Sequence, residues 1–75
     1  MREDNFSVIL KKLRNQKGFT QSELSEALGV SQQTIAHIES NYRKPSYELI
    51  LRIACYFDVS IDYLFGRTDN PEINK

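Results

Sequence analysis

The stretch QSELSEALGVSQQTIAHI, Gln21 to Ile38, decides the fold. With the residue before it, Thr20-Gln21-Ser22-Glu23 reads as a capping box, in which the Thr20 hydroxyl accepts from the Glu23 amide and the Glu23 carboxylate returns to the Thr20 amide. Leu24, Ala27 and Leu28 then form the inner face of a short helix, and Gly29 is expected to end it with a positive φ. Ser31 is a natural N-cap for a second helix, from which Ile35 and Ile38 point inward. Ser25 is small where the two helices must cross closely, and Leu24, Leu28, Val30, Ile35 and Ile38 supply the apolar contact that fixes the crossing. Two short helices joined by a three- to four-residue turn holding a glycine are the signature of a helix-turn-helix. Periodicity alone fits a plain helical hairpin inside a bundle equally well.

The outward residues separate these readings. The second helix carries Gln32, Gln33, Thr34 and His37 away from its apolar side, and Gln33 and His37, four apart, project together. A merely solvated face more often carries Glu and Lys. Glutamine pairs in bidentate fashion with adenine at the major-groove edge of DNA, and histidine donates to guanine N7 or a phosphate. Gln32, Gln33 and His37 are therefore the candidate base-contacting residues. Gln21 heads the first helix, where backbone amides also favour a phosphate. Thr34 and the run Asn41, Tyr42, Arg43 and Lys44 complete a candidate set of DNA-backbone contacts, which set register without reading sequence.

Working outward, Phe6, Ile9, Leu10 and Leu13 form one helical stripe from about Asn5 to Lys17, stopped by Gly18. Asn41 is expected to tolerate a left-handed conformation after the second helix of the motif. Ser46 caps a further helix with Ile50, Ile53, Ala54 and Phe57 on one side, and Ser60 caps a short last one closed by Gly66. The spacing thus predicts an all-α fold of five helices over residues 1–66, with a flexible, frayed tail over 67–75. Seventy-five residues form one domain, and the net charge is zero. Residues 10–52 are nevertheless basic, with Lys11, Lys12, Arg14, Lys17, Arg43, Lys44 and Arg52 against Glu23, Glu26, Glu39 and Glu48. A locally basic face on a neutral protein is compatible with a nucleic-acid partner.

The same chain excludes other classes. The single cysteine, Cys55, allows no internal disulfide and no cysteine-built zinc site, and it reads as helix filler. His37 lacks a second His or Cys to share a metal. There is no signal peptide and no apolar stretch of membrane-spanning length, so a cytoplasmic protein is expected. No catalytic motif is present, and neither an enzyme activity nor a cofactor is expected. Tyr47 and Tyr56 read as aromatics at the edge of the core.

Residues 6–66 resemble the Cro/cI-type, or XRE-type, helix-turn-helix family, lambda-repressor-like in fold. The resemblance rests on Leu13-Arg14, Thr20 to Leu24, Leu28 to Ile35, Ile38-Glu39, Pro45-Ser46, Ile53-Ala54 and Val59 to Leu64. It implies a compact five-helix domain that acts as a transcriptional repressor, with helix 31–40 as recognition helix. It implies a phosphate-binding role for Gln21, base-reading roles for Gln32, Gln33 and His37, and a structural ion pair between Arg14 and Glu39. The family often has Gly where this chain has Asn41. Surplus apolar residues near the C-terminus (Ile61, Tyr63, Leu64 and Phe65) suggest a dimer interface. A symmetric dimer would set two recognition helices about 34 Å apart on a palindromic operator. The alternative is a protein-binding module, an antitoxin or anti-repressor partner, with DNA contact secondary.

Overall fold

The computed structural model describes residues 6–72. Five helices make up its regular structure, and the described residues hold no strand: α1 (Phe6–Gln16), α2 (Gln21–Leu28), α3 (Gln32–Glu39), α4 (Tyr47–Phe57) and α5 (Ile61–Leu64). The expected all-α, five-helix class is what is observed. The start of α1 anticipated at Asn5 lies outside the described residues.

Local chemistry sets the helix starts. Thr20, Ser31, Ser46 and Ser60 cap α2 to α5, each hydroxyl accepting from the amide three residues on, at 3.0–3.2 Å. The capping box is complete, with the Thr20 amide donating to Glu23 Oε1 at 2.8 Å. Each cap contributes about 1 kcal/mol.

One closure recurs at the helix ends. Gly18, Gly29, Asn41, Asp58 and Gly66 all have φ between 57° and 75°. In each case the next residue's amide donates to a carbonyl five residues back, as in Val30 to Ser25 and Tyr42 to His37. This is the Schellman motif, which satisfies carbonyls the helix leaves open. At Gly29 a Cβ would meet only Arg52 Nη1, at an ordinary 3.5 Å. Its φ of 74° therefore favours glycine there; crowding does not.

The helices pack α2 on α3, α1 against α3, α4 against α2, and α5 against both α4 and α1. Leu10, Leu24, Ile35, Ile53 and Leu64 are fully buried at the centre, joined by Phe6, Leu13, Leu28, Ile38, Leu49, Ala54 and Val59. Ser25 is buried at the α2–α3 crossing, as its size suggests, and donates to the Ser22 carbonyl at 2.7 Å.

Several expectations are corrected. Ala27 is exposed, because the contact area of α2 narrows to Leu24, Ser25 and Leu28. On α4, Leu49 is buried and Ile50 only half-buried, so its core stripe is centred on 49, 53 and 54. Tyr47 is 72% exposed; Tyr56 does sit at the core edge, against Phe19 and Phe57. Cys55 is exposed and fills no core space. Leu64 lies fully inside its own core, and Phe65 stacks on Phe6 with ring centroids 5.1 Å apart. Apart from these corrections, Ser60 N–H donates to the Pro71 carbonyl at 2.9 Å, and Asn70 N–H to Thr68 Oγ1 at 3.1 Å.

Candidate nucleic-acid interface

The site begins with a buried ion pair that fixes where α3 sits. Arg14 of α1 grips Glu39 of α3 with both arms of its fork, Nε to Oε2 at 2.7 Å and Nη2 to Oε1 at 3.0 Å. The Glu39 side chain is only 2% exposed and that of Arg14 13%. The third guanidinium nitrogen donates to the Phe19 carbonyl at 2.7 Å, and Gln21 Nε2 donates to Glu39 Oε1 at 3.1 Å. One carboxylate thus ties α1, the turn after it, the head of α2 and the end of α3 together. A charge-assisted bidentate pair adds geometric specificity as well as energy.

Ile35 and Ile38 anchor α3 from below, which leaves its other side facing out. Gln32 and Gln33 are exposed there, and Thr34 and His37 are half-exposed. The Thr34 hydroxyl is engaged with Ser31 Oγ at 2.8 Å. The anticipated base-contacting residues therefore all keep exposed surface on α3, with Gln33 and His37 adjacent at i, i+4.

The anticipated backbone-contacting residues fall into four settings. Gln21 stands at the head of α2 with one amide hydrogen committed to Glu39 and a second unused by that bond. Thr34, Arg43 and Lys44 line a cleft of about 250 Å³ between α3 and the head of α4, with Ser46 and Arg52. Asn41 serves conformation, since its φ of 64° turns the chain back under α3. Tyr42 is 77% exposed, and its ring packs on the His37 ring with centroids 4.8 Å apart.

Two participants escaped sequence reasoning. Arg52 donates to the Leu28 carbonyl at 3.0 Å and pairs with Glu48 at 3.0 Å, tying α4 to the turn of the motif. Only the Glu48–Arg52 spacing of four carried a local signal. The Gln21–Glu39 bond spans 18 residues and has no signal in sequence. On the opposite flank, Leu51, Cys55 and Ile61 line an apolar groove between α4 and α5. Ile61 keeps some surface there and Tyr63 is half-buried, whereas Leu64 is withdrawn into the core. Among the described residues no cluster of His, Cys, Asp and Glu is arranged to hold a metal, and no helix is long and apolar enough to cross a membrane.

With this arrangement two helices present one polar face, braced from behind by a buried charge pair, which defines a helix-turn-helix protein. Residues 10–64 match the helix-turn-helix family model, and the chain belongs to that family, in the Cro/cI-type, or XRE-type, branch its motifs resemble. It is 32% identical over 66 residues to the HTH-type transcriptional regulator ImmR of Bacillus subtilis, covering 88% of this chain and 52% of ImmR. A crystal structure of a transcriptional regulator from Listeria innocua superposes with a TM-score of 0.81 at 33% identity, over 89% of this chain and 63% of that one. The N-terminal DNA binding domain of SinR from Bacillus subtilis superposes with a TM-score of 0.73 at 31% identity, over 80% of this chain and 88% of that domain. The chain spans about half the length of the first curated relatives it matches.

Proposed function

We propose that this protein is a sequence-specific DNA-binding transcriptional regulator, a repressor acting in the cytoplasm, that lays α3 in the major groove. The observation that carries the reading is the outward side of α3, where Gln32, Gln33 and His37 stand clear of a helix anchored by Ile35, Ile38 and Glu39. Gln32 and Gln33 supply paired donors and acceptors to base edges. Gln21, Arg43 and Lys44 flank them and set the register on phosphates. The similarity to the DNA binding domain of SinR supports the same use of the fold. The role is recognition, with occlusion of a promoter as its consequence; no bond is made or broken.

Gln33→Ala is expected to lose about 1–3 kcal/mol on the preferred site and to relax base preference. Gln21→Ala should weaken all sequences alike and leave the salt dependence of binding unchanged, since a neutral amide releases no counterion. Site selection from random DNA, followed by fluorescence anisotropy titrations at several salt concentrations, measures both. Equal losses by the two variants on preferred and random DNA would refute this division of labour. No measurable binding at low salt would favour a protein-partner module instead.

The repressor is further proposed to act as a homodimer on a palindromic operator. Such a dimer would set the two α3 helices about 34 Å apart, one DNA turn, a separation of the same order as the molecule's 30 × 27 × 22 Å extents. Ile61, at the mouth of the α4–α5 groove beside Leu51 and Cys55, is the exposed apolar centre for such a contact. Ile61→Glu should leave the helical circular dichroism unchanged and shift sedimentation equilibrium at tens of micromolar from dimer to monomer. A wild-type protein that sediments as a monomer there would remove the dimer.

A further inference from the structure

The five helix ends share one closure but not one purpose. In a Schellman motif the residue after the left-handed position comes to lie over the residue five before it. Here those pairs are Arg14 with Phe19, Ser25 with Val30, His37 with Tyr42, Ala54 with Val59, and Asp62 with Arg67. The first joins the Glu39 network through the Phe19 carbonyl. The second and fourth bring half-buried Val30 and buried Val59 against the core. The fifth is a surface ion pair at 3.6 Å. The α3 pair alone sets an exposed aromatic ring on a candidate base-reading side chain.

The backbone that carries this ring is closely fixed. Asn41 adopts φ 64°, and three donors converge on the His37 carbonyl: Tyr42 N–H at 2.8 Å, Arg43 N–H at 3.3 Å and Ser40 Oγ at 3.1 Å. The Tyr42 ring then meets the imidazole in a tilted arrangement, at 53° between planes, which is a favoured geometry for ring pairs. A free histidine on an exposed helix samples several rotamers. A histidine backed by a ring 4.8 Å away has fewer, and less entropy is lost when it docks.

We propose that Tyr42 is a positioning residue for base recognition. Its ring holds the His37 imidazole toward the base edges, and it acts through His37 in place of a phosphate contact of its own. The inference rests on the DNA-reading role proposed above for α3. It deepens that role by assigning base preference to a residue beyond the helix itself. It also explains a phenol left 77% exposed at the end of a recognition helix.

The test uses the full chain and compares wild type with His37→Ala, Tyr42→Ala, Tyr42→Phe and the His37→Ala/Tyr42→Ala double variant. The site selected by the wild type is altered one base pair at a time, and affinities are measured by anisotropy. His37→Ala and Tyr42→Ala should each lose preference at the same base pairs, by about tenfold, the scale of one base contact. Tyr42→Phe should behave as wild type, and the double variant should lose no more than His37→Ala alone. Without DNA, the His37 ring-proton NMR shifts should move in Tyr42→Ala and stay in Tyr42→Phe. Additive losses, spread over all sequences and shared by Tyr42→Phe, would instead identify a hydroxyl–phosphate contact and overturn the proposal. Lowered thermal stability with base preference intact would reduce Tyr42 to a helix cap and overturn it too. A wild type that selects no sequence would bring down the underlying DNA-reading role, a result distinct from either.

Discussion

Replacing Arg14 by alanine is expected to destabilise the protein by about 3–5 kcal/mol, because it leaves the Glu39 carboxylate inside with no cation beside it. Glu39 is only 2% exposed, and its remaining partner is the neutral amide of Gln21. The Phe19 carbonyl loses a donor at the same time. A chain of this size has roughly 5–10 kcal/mol of stability to lose, so the variant should be partly unfolded at 37 °C. Urea denaturation followed by circular dichroism measures the change. Arg14→Lys should fall between the two, since lysine keeps the charge and loses the fork. An Arg14→Met/Glu39→Leu double variant should recover much of the loss, because an apolar pair of similar volume is not penalised for leaving water. A loss under about 1 kcal/mol for Arg14→Ala would place the pair among ordinary surface ion pairs and sink this account.

Leu64→Ala is expected to cost about 2–5 kcal/mol, the range for a leucine truncated in a closed core. Leu64 has no exposed surface and sits where α5 closes over α1 and α4. The destabilisation should be the same at low and high protein concentration, because it arises within one copy. Ile61→Ala, three residues earlier on the exposed side, should change monomer stability by no more than about 0.5 kcal/mol. Denaturant midpoints at two concentrations separate the residues. If Leu64→Ala lost stability only at concentrations where copies associate, its burial within the monomer would be refuted.

The contrast between Leu64 and Ile61 shows how far the amino-acid sequence could be read. Helix boundaries were legible because they are written in neighbouring residues. Thr20, Ser31, Ser46 and Ser60 each reach an amide only three positions on. Left-handed stops at Gly18, Gly29 and Gly66 were legible for the same reason, and Asn41 followed from its tolerance of positive φ. Asp58 does the same service at φ 57°, a conformation its residue type announces less clearly than glycine. Burial within α5 was not legible, because a four-residue helix is too short to display a period. Leu64 and Ile61 are equally apolar, and only the packing of α1 and α4 distinguishes them. Ala27 failed for a related reason: a small apolar residue carries little information about which way it faces.

In the candidate site, the exposure of Gln32, Gln33 and His37 on α3 was recoverable from spacing, since they fall away from Ile35 and Ile38. The arrangement around them was not. Gln21 and Glu39 meet across 18 positions, and Arg52 reaches the Leu28 carbonyl across 24. Such contacts are products of the tertiary fold. The His37–Tyr42 pair lies between these cases. It was within reach once Asn41 was expected to be left-handed, because that conformation dictates which side chains come together.

The division of labour along α3 bears on how such a protein changes over generations. Its inward side, Ile35, Ile38 and Glu39, is committed to neighbours, whereas Gln32 and Gln33 project into solvent. Exposed substitutions of that kind typically cost within about 0.5 kcal/mol of folding free energy. On the role proposed for α3, new base preferences could therefore arise at those two positions with almost no loss of folding stability.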